Sequence, residues 1–498
     1  MSDNGVQFPE QDGRRSTTAT GRAAFAAAAD AVDNRLARRI RATSDWRKNY
    51  VAPARDLVAV SGRDAELPVA AASAGLEYLS GAFGFVVDGA EHPLALACEL
   101  PGALATRSFP GGAAVRTGLE IPYRGRTLEG SDLRAQVRRW VAAGVVEPSF
   151  QVAVDAMIDN PDWLDLSHTT IVMLGAGAEL APLRELLSWG AQVLAIDLPG
   201  PGVWRRIIAA VEGTPGILQV PVAPGAGIGP GSSIDDVADA AGADLLTELP
   251  AIASWISSFG GDLVLGNYLY ADGATNVRLS LAADALMTHL ADTCGVHTVP
   301  AFLATPTDAF QVGPDVVLDS RERWRHHHLA RATRLPLRAA NLFQPHYVDM
   351  MRDDTGVQYA VADCLVPQQG PNYLLAKRMQ RWRALDWRNR GRRVSLNVAP
   401  ATRTRSVVKN RMLAAAYAGA GRFGLEIFEP ATTNALMAAM LVRDLRDPRS
   451  AADPAVELAH PTQLFTDAAA HGGLWRSPFS PRSVLGVAAV VGMIERAA

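Results

Sequence analysis

The stretch Thr169-Thr-Ile-Val-Met-Leu-Gly-Ala-Gly-Ala-Glu-Leu-Ala-Pro-Leu-Arg-Glu-Leu-Leu-Ser-Trp-Gly-Ala-Gln-Val-Leu-Ala-Ile-Asp197 decides the fold. Thr169 to Leu174 is a short apolar run rich in β-branched residues, and Gly175-Ala-Gly177 interrupts it. Leu183, Leu186 and Leu187 then recur at helical spacing until Gly190, and Val193 to Ile196 is a second apolar run closed by Asp197. The pattern predicts strand, glycine turn, helix and strand, which is one parallel β-α-β unit. Its chemistry is specific. Gly175 and Gly177 let the backbone turn sharply and approach a ligand, and a helix from about Ala178 offers free N–H groups to an anion. A carboxylate twenty positions past Gly177 can accept both hydroxyls of an adenosine ribose.

The unit is therefore expected to hold a dinucleotide. Asp197 favours NAD, because the 2′-phosphate of NADP would meet a carboxylate, while Arg205 and Arg206 keep NADP open. Leu180 stands where the third glycine of G-x-G-x-x-G falls, and the small residue is Ala181, one later. Any parallel unit favours glycine at its first turn. An S-adenosylmethionine-dependent methyltransferase also places glycines after the first strand and an acid after the second, and nothing inside the stretch separates the two.

Outward from this unit, apolar runs alternate with helical patterns. Val203 to Val211 reads as a helix and Ile217 to Val222 as a third strand. Asp244 to Phe259 is helical, Asp262 to Gly273 is a fourth strand running into a loop, Leu279 to Thr293 is helical, and Val296 to Leu303 is a fifth strand. Such alternation predicts an α/β fold with a doubly wound, Rossmann-like parallel sheet. The expected domains are a disordered tail over 1–20, a helical or mixed α/β cap region over 21–165, a nucleotide-binding domain over 166–430, and a helical extension over 431–498. A large insertion over about 304–370 precedes the helix that carries Tyr373 and Lys377.

Composition bounds the function. A net charge of −3 on 498 residues gives no global field for nucleic acid. Cys98, Cys294 and Cys364 form no C-x-x-C, so neither a disulfide framework nor a zinc knuckle is expected. The polar N-terminus is unlike a signal peptide and no apolar run is long enough to span a bilayer, so a cytoplasmic protein without membrane contact is expected. His326-His-His328 suggests a metal site, but three consecutive helical residues point about 100° apart and cannot share one ion. No metal is expected.

Gly370-Pro-Asn-Tyr-Leu-Leu-Ala-Lys377 is the second signature. Tyr373 and Lys377 are i and i+4, on one helix face, so a phenol and an ammonium can point into one cleft. The cation would lower the tyrosine pKa and let it exchange a proton with a substrate hydroxyl or carbonyl. The chain has only three lysines against nine tyrosines, so the pair would arise by chance about 0.05 times.

Together, Gly175 and Gly177, Asp197, the Asn267 loop, Tyr373-x-x-x-Lys377 and the Asn397-Val-Ala-Pro400 strand end follow the order found in short-chain dehydrogenases/reductases. Residues 165 to 425 resemble that family. The resemblance implies an NAD(P)-dependent oxidoreductase, ketoreductase-like, acting on a small-molecule carbonyl or alcohol and assembled as a homo-oligomer. It implies Asn267 beside the cofactor, Tyr373 as acid/base, Lys377 assisting it and Pro400 closing over the nicotinamide. The family's later turn glycines are replaced by Glu179 and Ala181, and Ala360 stands where its serine is expected; Thr305 or Thr307 could take the serine's role. The alternatives are the methyltransferase and a catalytically inactive Rossmann-fold interaction protein.

Between Lys377 and Arg411 lie twelve basic residues against one acid, Asp386. Such a run could receive an anionic or carrier-linked substrate, or be a helix face paired within the chain. Trp382 and Trp387 in the same run read as core.

Overall fold

The computed structural model describes residues 4–11, 13–328 and 341–497. The chain opens with strand β1 (Gly5–Gln7) and helix α1 (Thr17–Asp30), whose N-cap Ser16 accepts the Ala19 N–H. A second helix, α2 (Leu67–Ala82), packs on α1. β1 lies antiparallel on β2 (Gly84–Val87), which pairs with β3 (Ala90–Pro93), and Val6 and Phe8 are buried. This corrects the expected disordered tail. The described part of residues 4–20 is strand, turn and helix, because Val6 and Phe8 anchor a segment whose average composition is polar.

The next elements are β4 (Ala105–Pro110), α3 (Gly130–Ala142) and α4 (Pro148–Asp159). The decisive unit follows as β5 (Thr170–Leu174), α5 (Leu183–Ser188) and β6 (Gln192–Ile196). Then come α6 (Pro201–Ala209), β7 (Ile217–Val222), α7 (Leu249–Ser257), β8 (Leu263–Asn267), α8 (Gly273–Thr293) and β9 (Val299–Ala304). After an excursion described below, the chain returns through α10 (Pro371–Asn389) to β13 (Ser395–Val398).

The fold is α/β, built on a seven-stranded, mostly parallel sheet in the order β13-β9-β8-β5-β6-β7-β4, in which only β4 is antiparallel. The six parallel strands take the order 6-5-4-1-2-3, which is compatible with a Rossmann-like arrangement. Side chains alternate across the sheet. Val172, Leu174, Leu194 and Ile196 join one buried core with α8 and α10, while Ile171, Met173, Val193 and Ala195 join the other with α3, α4 and α6. Burial on both faces is why these strands read as continuous apolar runs.

The boundaries drawn at 165 and 431 are not structural seams. β4 forms an edge of the main sheet, and helix α13 (Pro430–Arg446) packs Leu436 and Met440 into the same core as β5 and β6. The insertion is distinct: β10 (Ala309–Val312), α9 (Pro314–His326), β11 (Met351–Arg352) and β12 (Gln358–Asp363) form a separate antiparallel sheet in the order β10-β12-β11 with α9 beside it. The helix expected over Arg321 to Arg334 starts earlier, at Pro314, and ends at His326, while residues 329–334 of that expectation lie outside the described ones. His327 stacks edge-on against Phe479, and among the described residues no group of three His, Cys, Asp or Glu could hold a metal ion. No described helix is long and apolar enough to cross a membrane.

One interior ion cluster fixes α10. Asp308, between β9 and β10, is fully buried and accepts hydrogen bonds from Arg378 (2.6 Å) and Arg381 (2.8 Å). Burial would raise its carboxyl, but the two guanidiniums hold it below the usual range. Trp382 and Trp387 on the same helix are core residues. Asp308→Asn, which leaves two buried cations short of an anion, is expected to cost about 3–5 kcal/mol, read as a lowered midpoint in chemical denaturation.

Candidate functional site

A cleft of ≈1340 Å³ opens above the carboxyl ends of β5, β8, β9 and β13. In a doubly wound sheet this is where ligands settle, because the chain leaves strands one and four toward opposite faces. Gly177, Asn267, Tyr373, Lys377 and Pro400 all line it, although the glycine turn and the tyrosine are almost two hundred positions apart. Gly175 and Asp197 sit behind the wall and shape it.

The glycine turn is built from the inside. Gly175 has φ +83°, and a Cβ there would lie 3.2 Å from the backbone of Tyr268 and Leu269, so this position needs glycine. At Gly177 an added Cβ would come 2.7 Å from Val203 Cγ1. The Gly175 and Ala176 amides donate to Ile196 O, the Ala178 amide to Gly175 O, and the Gly177 amide to Asp197 Oδ2 (2.7 Å). Asp197 Oδ1 takes the Leu198 N–H (2.8 Å), and burial raises the carboxyl despite these bonds. Asp197 therefore braces the turn, with both carboxylate oxygens engaged by backbone amides.

The helix after the turn departs from expectation. Residues 178–182 are bend, turn and irregular backbone and α5 begins only at Leu183, because Pro182 has no N–H to give and biases Ala181 away from helical backbone. The six-residue α5 adds little dipole at the cleft, and the anion site expected from about Ala178 is not a helix terminus. Among the described residues the Glu179 and Leu180 amides have no protein acceptor, and both residues line the cleft. The Glu179 carboxylate is engaged: Oε2 accepts the Arg405 backbone N–H (2.7 Å) and lies 3.6 Å from Arg405 Nε.

On the opposite wall, Pro371 and the positive-φ Gly370 start α10, so Tyr373 lies in its first turn. The Tyr373 ring meets Tyr270 edge-on at 6.2 Å, and its phenol faces the Thr305 side chain just past the end of β9. Thr305 Oγ1 is 2.8 Å from Thr307 Oγ1. Of the two threonines considered for the serine's place, Thr305 meets the tyrosine. Ala360 belongs to β12 and is buried in the core.

Lys377 Nζ donates to Leu303 O (3.1 Å) and Gln380 Oε1 (3.2 Å), and burial brings its ammonium down to about 8. The expected effect of this cation on the phenol is corrected. Burial raises the Tyr373 pKa, the Thr305 hydroxyl only tempers the rise, and the Asp308 charge adds to it. The phenol is therefore protonated at neutral pH.

Asn267 Oδ1 accepts the Leu269 N–H (3.3 Å), and Pro400 O accepts Thr402 Oγ1 (2.8 Å). Asn397 faces away, into Ser395 and Asp444.

Most of the basic run is spent inside the chain. Arg383 pairs with Asp284 and Asp386, Arg390 with Asp386, Arg392 with Asp292 and Arg393 with Asp453, while Arg388 holds three backbone carbonyls. Only Lys377, Arg405 and Lys409 of that run line the cleft. Sequence reasoning missed Tyr270, three residues past Asn267, and Tyr417, both of which line the cleft with Tyr373. No motif marks Tyr417; only the fold brings it near.

No protein-family model and no curated protein matches this chain.

The buried lysine carries a testable sign. With a folded value of about 8 against 10.5, the folded state binds fewer protons than the unfolded chain between those limits, so Lys377 makes stability rise with pH there. Lys377→Met is expected to remove that part of the rise when denaturation midpoints at pH 7 and pH 9.5 are compared with the parent protein.

Proposed function

We propose that the chain is an NAD(P)-dependent oxidoreductase that interconverts a carbonyl and an alcohol, of the short-chain dehydrogenase/reductase type. The observation that carries the reading is a protonated phenol, beside a threonine, facing a glycine turn across one cleft at the carboxyl edge of a parallel sheet. A Rossmann-like fold accounts for the strand order.

The residues at the turn fit a nucleotide. Two free amides at Glu179 and Leu180, the close approach allowed at Gly177, and the lining cations Arg206 and Arg405 suit a pyrophosphate. Asp197 favours NAD, and Arg206 admits NADP. The bound nicotinamide would supply or accept the hydride. The chain's own part is proton handling and orientation. Thr305 orients the substrate oxygen, and Tyr373, kept neutral by burial and by the Asp308 charge, donates its proton as that oxygen becomes an alkoxide. Lys377, largely charged at neutral pH, holds the Leu303 carbonyl two residues before Thr305 and so helps to fix the strand end that carries the threonine. A cytoplasmic homo-oligomer accompanies this reading.

The test is thermal shift followed by kinetics. NADH or NADPH is expected to stabilise the protein and S-adenosylmethionine is not; stabilisation by the latter alone, or by none at millimolar concentration, overturns the proposal. Tyr373→Phe is expected to lower turnover about 10²–10⁴-fold while the nucleotide shift persists.

A further inference from the structure

The cleft is larger than the ~300–1,000 Å³ of a site for one small ligand, and its two halves differ in chemistry. Beyond Tyr373 its walls come from α12 (Arg411–Gly419), the turn that follows it, and α14 (Pro481–Ala497), which pack on each other. These helices contribute Leu413, Ala416 and Tyr417, and Val484, Leu485 and Ala488. Phe423, Leu425 and Ile427 continue the wall. Among the described side chains neither helix turns a charged one into the cleft: Arg411, Arg482 and Glu495 do not line it, and Arg482 is held by Asp363. The helices meet backbone to backbone at Gly419 and Gly492, where an added Cβ would come 2.2 Å from Ala488 O and 1.9 Å from Ala415 O respectively. They are therefore packed as a pair, and the apolar space beside them is a feature of that packing. Tyr417 lines the same cleft as Tyr373.

We infer that this half of the cleft receives an extended hydrocarbon chain, so that the substrate is a long-chain aliphatic compound whose polar end lies at Tyr373. A cavity lined in this way offers water few partners, whereas each methylene moved into it gains hydrophobic free energy. The identity of the reacting end rests on the oxidoreductase reading; the chain-binding site does not.

The experiment has two arms. In the first, cis-parinaric acid, a fluorescent fatty acid, is titrated into the full chain without nucleotide. Saturable binding is expected, weakened tenfold or more by Leu485→Gln or Leu413→Gln, both at half-buried positions. Leu485→Trp, which narrows the apolar half, keeps the fold testable and is expected to weaken binding as well, with the NAD(P)H shift unchanged in all three variants. In the second arm, a 2-alkanone series is reduced with NADPH. kcat/KM is expected to rise about three- to fourfold per methylene until the cavity is filled, and Leu485→Trp is expected to shorten the longest ketone that still gains. Absence of parinaric acid binding while nucleotide binds overturns the inference alone, as does binding indifferent to all three variants. Parinaric acid binding that responds to Leu485 in a protein that ignores both nucleotides supports the chain site and removes the oxidoreductase proposal.

Discussion

The site depends on a carboxylate held between two guanidiniums in a space without water. Asp308 follows the strand end that carries Thr305 and Thr307, and Arg378 and Arg381 sit on the helix that carries Tyr373 and Lys377. A shift of that helix by one residue would leave a buried cation without its anion, a far larger penalty than the loss of an apolar contact. Arg381 also lies over the ring of Phe310 at 4.1 Å, so the same side chain fixes charge and packing together. The relation of phenol to threonine is inherited from this cluster.

Its electrostatics explain the protonation pattern. A buried negative charge behind the phenol works with desolvation to keep the proton on Tyr373, and the lysine one turn further along answers to a carbonyl and an amide rather than to an acid. The site thus holds a neutral donor and a cation with a lowered pKa. The sign differs from the one that the Tyr-x-x-x-Lys spacing suggests by itself, because spacing carries no information about burial or about Asp308, sixty-five positions away in sequence.

The parallel strands were legible because burial on both faces demands uninterrupted apolar runs, and the third strand, Ile217 to Val222, matches its sequence pattern end to end. Lys377 was legible because lysine is rare in this chain. The late start of the helix after the glycine turn was also written in the sequence, at Pro182, but the leucine periodicity beyond it extended the apparent helix backward. Other features were not local. The partners of Arg378, Arg383 and Arg393 lie 70, 99 and 60 positions away. Only the fold could show that a run of cations was mostly neutralised inside the protein. Val6 and Phe8 fill a sheet whose other strands begin near residue 84, which composition over the first twenty residues could not anticipate.

The contact between Glu179 and Arg405 joins the first crossover to the segment that follows the last parallel strand. The Glu179 carboxylate takes up one backbone amide and one edge of the Arg405 guanidinium. Through Asn410 the same segment runs directly into the helix Arg411–Gly419, so one side chain tethers two walls of the cleft that lie 226 positions apart in sequence.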